Sequence, residues 1–192
     1  SLHNMGYEDI QIIHRLDINL TEQQNRNTNP VRFLDKRGTA IYETKQANSD
    51  LRYATRNTRL GKGYIKDNIL VNKPFDFSIK NRLSLIDLQS ILRSVIFPDE
   101  TPGKAKFNLR PDDYTFLYKY MSMYPRESKF PSYDSTYYPD HYVKFLLCGK
   151  EPLEHDAGLR IFNKVGDAYG FLTDAAYVVD FKNKVEFMLT AT

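Results

Sequence analysis

The sequence predicts an α+β fold: an antiparallel sheet packed with helices, carrying a β-rich basic insertion. Three observations lead there. "LSLIDLQSILRSVIFP" and "RPDDYTFLYKYMSMYP" repeat apolar residues at helical spacing. After them, "GLRIFNKVGDAYGFLTDAAYVVDFKNKVEFMLTAT" divides into short alternating runs separated by turn residues. Helices followed by an antiparallel meander argue for α+β rather than a wound parallel sheet. Before both lies a stretch rich in β-prone pieces and in lysine and arginine.

Taken in order, "IQIIHRL" (residues 10–16) is a short apolar run, and "DINLTEQQNRNTNP" after it is too polar for a core element and reads as a long structured loop. "VRFLDKRGTAIYETK" holds two β-prone runs around Lys36-Arg37-Gly38, a hairpin with glycine in its turn. Residues 48–74 add short β-prone pieces broken by Gly61, Gly63 and Pro74. In the first helix Leu85, Leu88, Leu92 and Val95 share a face with Ile91 beside it. Ser84 and Asp87 have capping-box spacing, and Pro98 ends the run. The second helix opens on Pro111, with Asp112 and Asp113 at its positive end. Leu117, Tyr120, Met121 and Tyr124 form its expected buried stripe. A shorter helix is expected from about Pro139 to near Gly149. Strands are expected over 159–165, 171–181 and 185–190, with a tight turn at Lys182-Asn183.

Composition narrows the function classes. The chain has 192 residues, enough for one domain or one domain with a large insertion. It is 41% hydrophobic and 27% charged, which is globular rather than disordered. No apolar run is long enough for a membrane helix and no signal peptide opens the chain. One cysteine, Cys148, excludes an intrachain disulfide and a cysteine-built metal site, and its apolar context predicts a buried thiol. His3, His14, His141 and His155 share no ligand spacing, so no metal and no other cofactor is expected. Charge is uneven. Residues 31–66 hold nine lysines and arginines against three acids, a surplus of six in a chain whose net charge is +3. That segment reads as a solvated surface extension or as a grip for an anionic polymer. No RRM, KH or helix-turn-helix signature accompanies it, which argues against nucleic acid.

Lysine, one residue, then glycine within a strand has a chemical use. The ammonium binds an anionic group or steers a proton, the glycine lets a ligand approach the backbone, and the next N–H can stabilise an oxyanion. On its own the pattern is common. In this order of features, however, the chain resembles the later part of the class A β-lactamase-like, penicillin-recognising serine hydrolases. "IFNKVGDAYGFLTDAAYVVDF" is similar to that family's K-[ST]-G strand and its partner. "IIHRLDINLTEQQNRNTNP" is similar to its omega loop. The resemblance implies a partial domain over 1–192: an omega-loop region at 10–30, the insertion at about 31–80, helices at about 84–148 and strands at 159–190.

It further implies that Lys164 is the motif lysine, Gly166 its glycine, and Asp167 the donor of an oxyanion N–H. Arg15 and Asp17 would be the omega-loop pair that fixes the loop. Val165 stands where the family has Ser or Thr, and Leu20 where class A enzymes place a glutamate. Glu22 lies two residues further on and replaces that glutamate only if the loop is re-registered. No serine has lysine three residues on, and no Ser or Tyr has Asn two residues on. The family order therefore implies that the chain is the C-terminal portion of a longer, extracytoplasmic or periplasmic bacterial protein. A missing N-terminal segment would supply the nucleophile. The implied function is a share of a serine hydrolase acting through an acyl-enzyme on an amide or ester, in a small-molecule or peptide substrate, with this chain inactive alone. The alternative is a non-catalytic binding or sensor relative whose basic insertion holds an anionic polymer.

Overall fold

The computed structural model describes residues 1–148 and 158–192, and of Cys148 the backbone alone. The burial expected of Cys148 and the helix end near Gly149 lie outside the described residues, as does His155. Residues 9–82 form one compact unit, and residues 1–8 with 83–192 form another.

The 9–82 unit is wider than the insertion expected at 31–80. It begins with α1 (Glu22–Asn25), whose capping box joins Thr21 and Gln24. Strands β1 (Arg32–Leu34) and β2 (Ala40–Glu43) pair as the expected hairpin. In its turn the Asp35 carboxylate accepts the N–H groups of Arg37 and Thr39, and Gly38 takes a left-handed φ of 82°. Next come β3 (Arg59–Leu60), β4 (Tyr64–Lys66), β5 (Ile69–Val71) and β6 (Phe75–Asp76), with β3 pairing β6 and β4 pairing β5. The β4–β5 turn places Asp67 and Asn68 at positive φ, as a two-residue hairpin requires. Ile10 and Gln11 are the unit's buried residues. The apolar run at 10–16 is thus not a core element beyond them: Ile12 and Leu16 are exposed, because the backbone here bonds to residues 81 and 82 rather than joining a sheet.

The other unit has the expected α+β form. Helix α2 (Leu85–Ile96) starts where Ser84 Oγ accepts the Asp87 N–H, which is half of the predicted capping box. Leu92 and, unexpectedly, Ser94 are its buried residues, while Leu85 is exposed. Helix α3 (Pro111–Ser122) has its first turn held by the Asp113 carboxylate on the Arg110 N–H. Of the buried stripe expected on it, Tyr124 just past its end is buried, while Leu117 and Met121 are half-buried. Tyr120 is exposed, and Tyr118 faces inward instead, donating to the carbonyls of Val95 and Ile96 at the end of α2. The single helix expected from about 139 is broken at Lys144. A 3-10 turn (Asp140–Val143) precedes it and α4 (Phe145–Cys148) follows.

Strands β7 (Leu159–Ala168), β8 (Phe171–Asp180) and β9 (Val185–Ala191) form one antiparallel sheet in that order. The first is three residues longer than predicted, because Tyr169 and Gly170 close a two-residue hairpin at positive φ. The second turn spans four residues, 181–184, with Asn183 bonded back to the Asp180 carboxylate. One sheet face meets α2 and α3 through ring contacts of Phe97 with Tyr177 and Tyr118 with Phe162. The other buries Ile161, Ala176 and Val178 under Leu146 of α4, while Val185, Phe187 and Leu189 on β9 stay exposed. No helix among the described residues is long and apolar enough to cross a membrane.

Candidate functional site

Strand β7 lies at one edge of its sheet. In an antiparallel ladder alternate residues bond to the neighbouring strand, and the residues between them present N–H and C=O outward. Two observations set the phase. The Phe181 N–H donates to Gly158 O at 2.9 Å, and the hairpin closes on the pair Ala168 and Phe171. Even-numbered residues of β7 therefore face β8, and Leu159, Ile161, Asn163, Val165 and Asp167 face the open edge.

Side-chain bonds agree with this phase. Leu159 O accepts the Tyr124 hydroxyl at 3.1 Å, and Ile161 O accepts Lys144 Nζ at 2.7 Å. Two outward carbonyls of the first half are thus taken up. In the second half, Val165 O accepts Lys164 Nζ at 2.7 Å. The N–H groups of Val165 and Asp167 meet no acceptor among the described residues. They are two residues apart, roughly 7 Å along a strand.

The exposed ammonium of Lys164 thus folds back over the same edge that carries both N–H groups. Gly166 lies on the sheet face that Lys164 occupies, opposite Thr173. A Cβ added at Gly166 would meet nothing within 4 Å, and its φ is not left-handed. Neither packing nor backbone conformation within the chain requires glycine there. The arrangement offers a cation, two N–H donors and an uncovered strand surface, which suits an anion or a carbonyl oxygen that gains charge. The Asp167 carboxylate projects to the opposite face, so its charge opposes an anion less than its sequence position suggests.

The residues expected in the loop behave differently. Arg15 does tie the loop, but to the Asn27 carbonyl rather than to Asp17. Asp17 sits at a left-handed φ of 51° with its side chain exposed, and no ion pair between Arg15 and Asp17 exists among the described residues. Glu22 bonds to Arg26 at 2.7 Å. The Arg26 guanidinium holds its carboxyl below the ordinary value, which suits a structural ion pair better than a proton acceptor.

Sequence reasoning missed a buried polar cluster of Lys144, Asn163 and Asp174. Asn163 donates to the Asp174 carboxylate at 2.9 Å and accepts from Lys144 at 2.7 Å. Burial pushes the Asp174 carboxyl above its ordinary value, against the N–H donors of Asn163, Leu146 and Phe145. Its signal in the sequence was the polar pair Asn163 and Asp174 on strand positions that otherwise alternate as core. Thr190, in the row of Lys164 and Ala175, carries a buried Oγ1 with no partner among the described residues.

Two further features bear on chemistry. A concavity of about 250 Å³ lies on α2 between Leu85, Ile86, Gln89, Ser90 and Arg93, and shares no residue with the β7 edge. Ser94, the one buried serine, donates to the Ser90 carbonyl and contacts Tyr7, so no base activates it. Among the described residues no cluster of His, Cys, Asp and Glu could hold a metal. No family model, curated protein or solved structure matches the chain.

Proposed function

We propose that this chain supplies the oxyanion-binding strand of a β-lactamase-like serine hydrolase acting on an amide or ester. One observation carries the reading. The second half of the β7 edge bears Lys164, Gly166 and the outward N–H of Asp167, which meets no acceptor among the described residues. In the reaction a serine attacks the substrate carbonyl, and the carbonyl oxygen takes up negative charge. The Asp167 N–H and the Lys164 ammonium are placed to stabilise that charge. Collapse of the tetrahedral intermediate expels the amine or alcohol and leaves an acyl-enzyme, which water hydrolyses. The serine and its base lie outside these 192 residues, since no S-x-x-K occurs in them. Val165 offers no hydroxyl to a substrate carboxylate, which points to amide or ester substrates other than penicillins. The family resemblance, not any residue here, is the basis for placing the parent protein outside the bacterial cytoplasm.

Methylphosphonate, a small tetrahedral anion, tests the site. Titrated into the chain and followed by amide NMR, it is expected to shift Val165 and Asp167, and Lys164→Ala is expected to weaken binding at least tenfold. A titration that leaves the Asp167 amide unmoved refutes the reading.

A second reading has its own observation. The 9–82 unit carries fourteen lysines and arginines against eight acids. Ion pairs hold Arg26, Arg32, Arg56, Arg59 and Arg82. The Lys36-Arg37 pair stands in the exposed β1–β2 turn. An acidic polymer would find its contacts there, and salt-dependent retention on heparin, lost in Lys36→Ala/Arg37→Ala, would establish it.

A further inference from the structure

We propose that Lys144 is a positioning residue: through Ile161 and Asn163 it fixes the edge of β7 at the height where Lys164 and the Asp167 N–H are presented. The inference rests on the oxyanion-strand reading above.

Lys144 is 2% exposed, among the most buried large side chains of the described chain. Burying an ammonium is costly, and an apolar side chain of similar volume fills such space at lower cost. Filling space therefore does not account for lysine here. What an apolar residue lacks is donors. Nζ gives one to Met121 O at 2.8 Å, one to Ile161 O at 2.7 Å and one to Asn163 Oδ1 at 2.7 Å. An ammonium has three N–H donors, enough to serve all three of these acceptors.

The acceptors belong to different elements. Met121 O lies in the last turn of α3, where carbonyls lack partners within the helix and a cation is favoured. Ile161 O is an outward carbonyl of the β7 edge. Asn163 is the next outward residue, and its amide is held from both ends. Its Nδ2 donates to Val143 O at 2.8 Å and to Asp174 Oδ1 at 2.9 Å, so the amide cannot turn over without losing these bonds. Asp174 in turn accepts the Leu146 N–H at 3.2 Å, at the start of α4. One ammonium thus ties the end of α3, the edge of β7 and the entry to α4.

The clamp ends where the open half begins. Asn163 is held and Lys164 is the next residue. From there to Asp167, among the described residues, the backbone of the strand is bonded to other elements through β8 on one side. A shift of the clamped half would therefore carry the Lys164 ammonium and the Asp167 N–H with it, and oxyanion donors act only within a few tenths of an ångström of their proper distance.

The test uses the full chain and three variants: Lys144→Met, Asn163→Ser, and Leu92→Ala as a control that removes buried α2 side chain without touching the clamp. In Lys144→Met the Val165 and Asp167 amide resonances are expected to move while those of Phe187 and Leu189 on β9 hold. Methylphosphonate affinity is expected to fall at least tenfold. Leu92→Ala should lower the melting temperature and leave both unchanged. If Lys144→Met does not fold, Asn163→Ser, which keeps the two carbonyl bonds of Lys144, is read in the same way. Unmoved Val165 and Asp167 amides in the variant that folds, or the same changes in Leu92→Ala, overturn the proposal. If the wild-type chain binds no methylphosphonate, the oxyanion reading fails, and the amide positions without added anion still decide whether Lys144 sets the edge.

Discussion

Replacing Gly166 by alanine should separate what the strand needs from what a ligand needs. Glycine within a strand costs roughly 0.5–1 kcal/mol relative to alanine, because more chain freedom is lost on folding. That cost is recovered only if the new methyl fits. At Gly166 it meets nothing within 4 Å, and the backbone is not in the left-handed region. Gly166→Ala is therefore expected to gain about 0.5 kcal/mol of stability, or roughly 1–2 °C in melting temperature for a chain of this size. The same methyl would stand on the uncovered surface beside Lys164, where a bound anion must lie against the backbone. Methylphosphonate binding should weaken about tenfold, equivalent to ~1.4 kcal/mol. Thermal unfolding and amide NMR titration read the two effects on one sample. Gly103→Ala, where an added Cβ also meets open space, should leave binding unchanged. A Gly166→Ala loss of more than about 1 kcal/mol would show that the strand surface is not open. A gain in stability with unaltered binding would remove Gly166 from the site.

Ile161→Ala removes roughly three buried carbons from the cluster of Ala176, Val178 and Leu146, and should cost about 3–4 kcal/mol by denaturant unfolding once the cavity is included. Ile86→Ala, at a site 79% exposed, should change stability by less than about 0.5 kcal/mol, and equal losses at the two sites would refute the assigned core. For Asp174 the folded value lies above the ordinary 3.8, so its favourable contribution is complete below the unfolded value and is lost as pH rises through the folded one. Asp174→Asn lacks that loss, so melting temperatures measured from about pH 4 to pH 7 should shift in the variant's favour relative to wild type as pH rises, and a constant difference would contradict the sign. Incubated alone with a fluorophosphonate, the chain should keep its intact mass, because none of its ten serines has lysine three residues on. A stoichiometric adduct abolished by mutating a single serine would place the nucleophile within the chain.

The sheet was the most legible part of the fold. Alternation in "AAYVVDF" and the turn residues between runs mark β8 and β9 without help from distant contacts, and the order of strands follows from two short connections. Helix α2 was legible for the same reason, since its apolar spacing, Ser84 and Pro98 are all local signals. Tyr120 and Tyr118 show the limit. Both are aromatic and two residues apart, and only the positions of Val95, Ile96 and Phe162 decide which one turns inward. The motif residues Lys164, Gly166 and Asp167 could be named from the sequence. That their odd-numbered neighbours face an open edge required the pairing phase, which depends on β8 and on Phe181 meeting Gly158. Lys144 was invisible, because a lysine reads as surface until its three acceptors, drawn from separate elements, are brought around it. Arg15 and Asp17 illustrate the reverse: the family resemblance implied a pair, whereas Arg15 bonds to the Asn27 carbonyl and Asp17 is exposed at a left-handed φ.

An open strand edge is a hazard as well as a binding surface, because a second extended chain can pair with it and begin aggregation. Side chains take up the Leu159 and Ile161 carbonyls of the β7 edge, and among the described residues the N–H groups of Val165 and Asp167 meet no acceptor. There the Lys164 ammonium lies across the Val165 carbonyl, and an approaching strand would have to displace it and leave the charge beside its own backbone. The acidic side chain of Asp167 guards the opposite face. The lysine of the proposed site would therefore also supply a charge that disfavours edge-to-edge pairing of two copies. The tip of the hairpin is a different matter. Tyr169, Phe171 and Leu172 are exposed there, so solubility in Lys164 variants will depend on how much of the edge the Lys164 ammonium had been shielding.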